Sequence, residues 1–196
     1  IIFFLSQIDI QLNFYIICVL CLLVILMDAI NCIMTRVSER SFSGEKIPKK
    51  DILEIIKAGM AAPSAKNVQP WSFIVLAEEE IFGELTDALP HCRMIKPAGQ
   101  GIVVCGVPDK DDTAKRHWWS DCGAATQNIL LASHALGYGA VWTAVHPDEE
   151  RLFKARKILK IPQNIIPLCI IPIGVIAQKS APKDKFKEEN IHYDKW

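Results

Sequence analysis

The sequence predicts a domain in which helices cover a mixed α/β-type sheet. Three observations lead there. Apolar runs of strand length alternate along the chain with longer segments whose apolar residues recur at helical spacing, the order that builds layers of sheet and helix. Residues 121–142, DCGAATQNILLASHALGYGAVW, join a long helix directly to a buried strand. The 196 residues are 51% hydrophobic, enough for one substantial core, and no internal repeat or linker divides residues 27–196.

The elements follow in order. Residues 1–26 differ from everything after them. Residues 14–26 are apolar without interruption, a run shorter than the roughly 18–20 residues of a spanning helix. No Lys or Arg precedes Arg36, so the basic region of a secretory signal is missing. The chain starts with Ile1, and residues 1–26 read as an over-extended frame or fragment end, with Met27 as the start; a membrane tether is the alternative. The expectation is a domain over 27–196 that folds without them.

Residues 28–35 form a short amphipathic helix, with Ile30, Ile33 and Met34 on one side, ending at the polar corner of residues 36–40. Pro48 suits the first turn of the next helix, whose buried face is Ile52, Ile55, Ile56 and Met60. Residues 62–70 are a loop by their prolines and polar residues. A buried strand is predicted over 72–77, a helix over 78–89 and a second buried strand over 101–107.

The central block comes next. Ile129, Leu130, Leu131 and Leu136 give its helix an apolar side, and Gly123, Ala124, Ala125, Ala132 and Ala135 let another backbone approach. The helix should stop near Gly137, since glycine accepts the left-handed conformation, and residues 139–142 turn extended. Residues 147–150 open a further helix with acids in its first turn, where the macrodipole favours them, and it runs to about Leu159. Residues 168–176 form the last strand, and Pro172 within it suggests an edge or a bulge. From Ala177 the tail is polar and basic, with aromatic residues at its end.

Composition excludes several function classes. The 22 basic and 22 acidic residues cancel, which gives no argument for nucleic acid as a partner. Seven cysteines at scattered spacing read as reduced thiols, hence a cytoplasmic location, and the Cys18/Cys21 pair in an apolar run reads as packing or lipid contact. The five histidines show no metal-ligand spacing, so no metal is expected. Neither a Gly-x-Gly-x-x-Gly turn, nor a phosphate loop, nor a Gly-x-Ser-x-Gly elbow is present.

Two constellations remain. Arg36, Ser38 and Arg40 cluster after the first helix, and Lys183 and Lys185 follow Pro182. An Arg fork and Lys point charges converging would suit a phosphomonoester of about −1.5 to −2 charge; isolated, each would be an ordinary solvated cation. The second is the loop Pro63-Ser64-Ala65-Lys66-Asn67-Val68-Gln69-Pro70-Trp71, stiff and rich in hydrogen-bonding groups, able to face a heterocycle or to be a plain surface connection.

Taken together, Arg36-x-Ser38-x-Arg40, this loop, residues 121–142 and the Pro-Lys-Asp-Lys-Phe…His-Tyr-Asp-Lys-Trp ending stand in an order that closely resembles the FMN-dependent nitroreductase family, in its compact branch, from Met27 onward. The resemblance implies an α+β, three-layer sandwich with a central mixed sheet, working as an intertwined homodimer with FMN at the subunit interface. It implies that Arg36, Val37, Ser38 and Arg40, with Lys183 and Lys185, hold the phosphate and ribityl end. Pro63, Ser64, Ala65 and Asn67 of the other subunit would touch the isoalloxazine, and Trp142, Thr143 and Ala144 would lie along it. His117, Trp118 and Trp119 would belong to the substrate-side wall or to packing. Val37 stands where many relatives carry a basic residue, and Thr143-Ala144 replaces a commoner glycine-containing pair.

The implied reaction is ping-pong: NADH or NADPH reduces FMN, and a nitroaromatic, quinone or similar small-molecule acceptor then takes the electrons. The flavin carries that chemistry, so no catalytic side chain is expected. Two alternatives stay open: a flavin-binding storage or redox-sensing module with little turnover, and a membrane-tethered quinone reductase if residues 1–26 are a real tether.

Overall fold

The computed structural model describes residues 28–196; the apolar run, the Cys18/Cys21 pair and Met27 lie outside the described residues. The chain divides into two units, Ile1–Met34 and Thr35–Trp196. In the first, Asp28 caps helix α1 (Ala29–Thr35) by accepting from the N–H groups of Ile30 and Asn31 at 3.1 and 3.2 Å, and Ile30, Ile33 and Met34 are exposed.

The second unit runs α2 (Lys49–Met60), β1 (Trp71–Leu76), α3 (Glu79–Ala88), α4 (Ile95–Ala98), β2 (Gly101–Gly106), α5 (Asp112–Ala135), β3 (Gly139–Ala140), β4 (Thr143–Ala144), α6 (Glu149–Leu159) and β5 (Ile166–Gly174). Pro48 directly precedes α2, and Ile52, Ile55 and Ile56 are buried as their spacing predicts. Met60, expected on that face, is exposed. Gly59 is buried instead: a Cβ there would come within 2.8 Å of Ile129 Cγ1, so its absence lets α2 lie close against α5.

Helix α5 is the longest element and starts well before residue 121. Asp111 caps it, accepting from Ala114 N–H at 2.6 Å. It ends where predicted: Gly137 has φ +85°, and the Tyr138 N–H reaches back to Ser133 O at 2.8 Å. Ile129 and Leu130 are buried, whereas Leu136, past the last turn, is exposed. Asp148 caps α6 by accepting from Arg151 N–H at 3.0 Å.

The strands lie in the order β1-β2-β5-β3, with β4 also on β5, and every pairing among the described strands is antiparallel. The α+β class is as expected, but among the described residues the sheet is antiparallel rather than mixed. An intervening helix does not force a parallel crossover, and the β1–α3–α4–β2 connection returns its strand antiparallel. β1 is only half buried, because it has one neighbour; the prediction of a buried strand there missed its edge position.

Pro172 lies not at an edge but inside β5, between β2 and β3. β3 and β4 pair with β5 in one continuous register, Ala140 opposite Ile173 and Thr143 opposite Ile170. The ladder breaks between them where the Val141 N–H donates to Pro172 O at 3.3 Å and the proline has no N–H to return. The register shift lies elsewhere, between Val104 and Cys105.

Strand alternation splits the core into two halves. Ile102, Val104, Cys169, Ile171 and Ile173 face α2 and α5, packing on Ile55, Trp118, Cys122 and Ile129. Val103, Cys105 and Ile170 face the other way, onto Phe82, Leu85, Ile95, Leu152 and Ala155 of α3, α4 and α6. Helices, sheet and helices make three layers.

Candidate functional site

The polar corner after α1 becomes a strand-like lace. The Glu39 N–H donates to Ala140 O at 3.1 Å, Ser43 N–H to Val175 O at 3.0 Å, and Ala177 N–H to Ser41 O at 3.0 Å, while Phe42 bridges Ile176 antiparallel. Residues 39–43 are thereby laid between the start of the β3–β4 strand and the outgoing end of β5. The lace leaves no room for a Cβ on Gly139, which would meet Glu39 Cβ at 2.9 Å, and one on Gly174 would meet the Ala98 carbonyl oxygen at 2.6 Å.

This lacing brings together what the sequence holds far apart. Val37, Ser38 and Arg40 line one side of a hollow of about 310 Å³, and Ser180, Ala181, Lys183 and Lys185 line the other. Arg40 is partly steadied by donating from Nη1 to Ser38 O at 3.1 Å. Three cations thus line one space, a set of charged donors that suits a phosphomonoester. Arg36 is not on this wall. Its Nε is buried with no hydrogen-bond partner among the described residues, and its charge, after burial itself, helps hold the His134 imidazole below its usual pKa. His134 Nε2 shares a 2.9 Å hydrogen bond with Thr35 Oγ1.

Trp142, Thr143 and Ala144 continue the strand whose Ala140 carbonyl takes the Glu39 N–H. The Val141 and Val145 N–H groups donate to β5, so alternation turns those of Trp142 and Ala144 away from it. Thr143 is buried, donating from Oγ1 to Ile170 O at 2.6 Å. The Ala144 carbonyl accepts from Arg151 Nη1 at 3.2 Å and shares a 2.9 Å hydrogen bond with His91 Nε2. Burial first, and the Arg151 charge second, keep the His91 pKa below its ordinary value.

The loop of residues 62–70 does not line this hollow. Its backbone is unusual: Lys66, Asn67 and Gln69 all have φ between +51° and +55°, each costing on the order of 1 kcal/mol for a non-glycine residue. Side chains hold it. The buried Asp121 carboxylate accepts from Ala65 N–H at 3.2 and 3.3 Å, Ser64 Oγ from Gln69 N–H at 2.9 Å, and Lys110 Nζ donates to Gln69 O at 3.0 Å. Pro63, Ser64, Ala65 and Asn67 therefore form a rigid polar surface apart from the cation hollow.

Trp118 belongs to the core, not to a substrate wall. It is buried over Gly106 and meets His146 edge-on at 4.9 Å, while His117 and Trp119 are exposed. Sequence reasoning missed Glu39, Ser180, Asp121, His91 and Arg151. Glu39, Ser180, Asp121 and His91 are common polar residues whose partners lie in distant segments, and no spacing announces such a pair; Arg151 reaches back only seven residues, to a carbonyl that any residue could offer.

Fold and geometry together give an α+β domain with three cations gathered on one hollow beside the lacing strands. Comparison places it more narrowly. The family described as "Nitroreductase family" matches residues 33–101 and 87–175. A Methanothermobacter thermautotrophicus protein named "Putative NADH dehydrogenase/NAD(P)H nitroreductase" is 38% identical over 170 residues, covering 87% of this chain and 88% of that protein. The crystal structure of a Parabacteroides distasonis protein of the same name superposes with a TM-score of 0.81 at 41% identity, covering 85% and 98% of the two chains. A Clostridium difficile structure named "FMN-dependent Nitroreductase" gives 0.78 at 26% identity, covering 85% and 99%. The chain belongs to the nitroreductase family and is an oxidoreductase.

Proposed function

We propose that this protein binds FMN and moves electrons from NADH or NADPH to nitroaromatics, quinones or similar small acceptors, as an intertwined cytoplasmic homodimer. The observation that carries this reading is the convergence of Arg40, Lys183 and Lys185 with Ser38 and Ser180 on one hollow. The name of the Clostridium difficile structure, FMN-dependent, supports the same cofactor. Bound there, FMN would supply the redox chemistry that links the nicotinamide donor to the acceptor.

The chain's own residues bind and orient. Arg40, Lys183 and Lys185 neutralise the phosphate, with Arg36 adding positive charge nearby and Val37 and Ser38 shaping the ribityl end. Trp142 offers an apolar face, and the N–H groups of Trp142 and Ala144, turned away from β5, are donors for the ring edge. The rigid loop bearing Pro63, Ser64, Ala65 and Asn67 covers the ring from the second subunit. No side chain acts as the catalytic acid or base. The buried thiols of Cys92, Cys105, Cys122 and Cys169 support a reducing compartment. Among the described residues no helix is long and apolar enough to cross a membrane.

The test is a visible absorption spectrum of the purified full chain before and after anaerobic NADH and, separately, NADPH. Flavin bands that bleach are the expected result. Bands that persist with both donors favour a storage or sensing module, and a colourless protein that rejects added FMN overturns the reading.

A further inference from the structure

Between the two walls of the hollow stands a residue that no spacing singled out. Glu39 is 4% exposed. Among the described residues its carboxylate makes no direct ion pair. A buried carboxylate left without partners is costly. Among the described residues its hydrogen-bond partners all come from one residue: Ser180 donates from N–H to Oε1 and Oε2 at 3.0 and 3.2 Å and from Oγ to Oε2 at 2.8 Å.

The position of this clamp matters more than its strength. Ser38 and Arg40, either side of Glu39, line one wall, and Ser180 begins the wall that carries Lys183 and Lys185. The backbone lace ends with Ala177 N–H on Ser41 O. From 178 to 185 the chain is exposed, and among the described residues its hydrogen bonds to the rest of the protein are those of Ser180 to Glu39. Free of the clamp, the two lysines would be point charges on a loose tail, paying ordering entropy each time a ligand bound.

We infer that Glu39 is a positioning residue: its buried carboxylate, through Ser180, holds Lys183 and Lys185 against Arg40 so that the hollow is set for a phosphate before the ligand arrives. This rests on the FMN reading. The carboxylate itself does not contact the phosphate, which it would repel; its effect is exerted through the lysines.

The test compares FMN with riboflavin, which has the same ring and ribityl chain and no phosphate. Binding of each to the full-length apoprotein is followed by quenching of flavin fluorescence. Glu39→Ala is expected to weaken FMN about tenfold, the loss of pre-set charge-assisted contacts, and to leave riboflavin unchanged. The salt dependence of FMN binding should flatten, and Lys183→Ala/Lys185→Ala should cost far less in the Glu39→Ala background than alone. Glu39→Gln, which keeps one acceptor oxygen, should restore part of the loss. Equal weakening of both flavins, or of neither, overturns the inference while leaving the FMN reading in place. A wild-type chain that binds neither flavin overturns the FMN reading and this inference with it. Should Glu39→Ala not fold, Glu39→Gln, which leaves the lining of the hollow unchanged, must still separate FMN from riboflavin.

Discussion

At the scale of single residues, charge and burial have been separated with care. The cations that line the hollow are on exposed backbone, free to meet an anion, whereas Glu39 and Asp121 are buried and spend their acceptors on backbone N–H groups that fix segments next to the site. Arg40→Ala and Lys185→Ala should each weaken FMN by about five- to tenfold, since each removes one charge-assisted contact, with thermal stability unchanged. Retention of stoichiometric flavin by both purified variants would refute the phosphate assignment. The thiols give a second prediction. Burial pushes Cys92 up to about 11 and Cys105, Cys122 and Cys169 up to about 12, from 9.0. A group whose folded pKa is raised contributes stability that is full below its unfolded pKa and is lost as pH climbs towards the folded one. The melting temperature should therefore fall as pH rises from about 9 towards 12. At about pH 8 iodoacetamide should leave these four thiols unmodified in the native protein and label them after unfolding, as read by peptide mass spectrometry.

At the scale of elements, the helices approach the sheet as closely as missing side chains allow. Gly106 at the end of β2 lies under the Trp118 ring of α5, and an added Cβ would overlap that ring's atoms. Gly106→Ala should destabilise the protein by about 2 kcal/mol or more, because a buried indole has nowhere to go. Urea denaturation measures this directly, and a change below about 0.5 kcal/mol would mean that α5 can shift on the sheet. The same close packing explains why Trp118 is unavailable to a substrate. The β3–β4 strand shows how one residue shapes an element: Pro172 removes a single N–H from β5 and divides its neighbour into two short pieces, the second of which carries Thr143 and Ala144.

At the scale of the whole molecule, residues 37–40 and 180–185 meet at the hollow while the final residues do not join the core. Phe186, Ile191, Tyr193 and Trp196 are exposed, more apolar surface than a lone tail should offer to water. In the proposed homodimer they are covered by the second subunit. Light scattering should show a dimer, and removal of residues 186–196 should shift it towards monomer with loss of bound flavin. A truncated chain that remains dimeric would assign the interface to other surfaces.

How much of this was legible beforehand depended on whether the controlling interactions were local. Helix ends at Gly137 and Pro48, the acidic start of α6, the apolar faces of α2 and α5 and the alternation of strands with helices are set by residues within a turn or two of each other, so the sequence carried them, and with the ordered motifs it carried the family as well. The chain's basic pairs were visible as pairs. What brings them face to face is the backbone lace, joined by a carboxylate and a serine 141 positions apart, and such contacts leave no periodic trace. Strand order, the antiparallel sense of the sheet, the central place of Pro172 and the burial of Trp118 belong to the same class. They follow from which distant surfaces pack together, a choice made by the summed burial of two core halves rather than by any one segment.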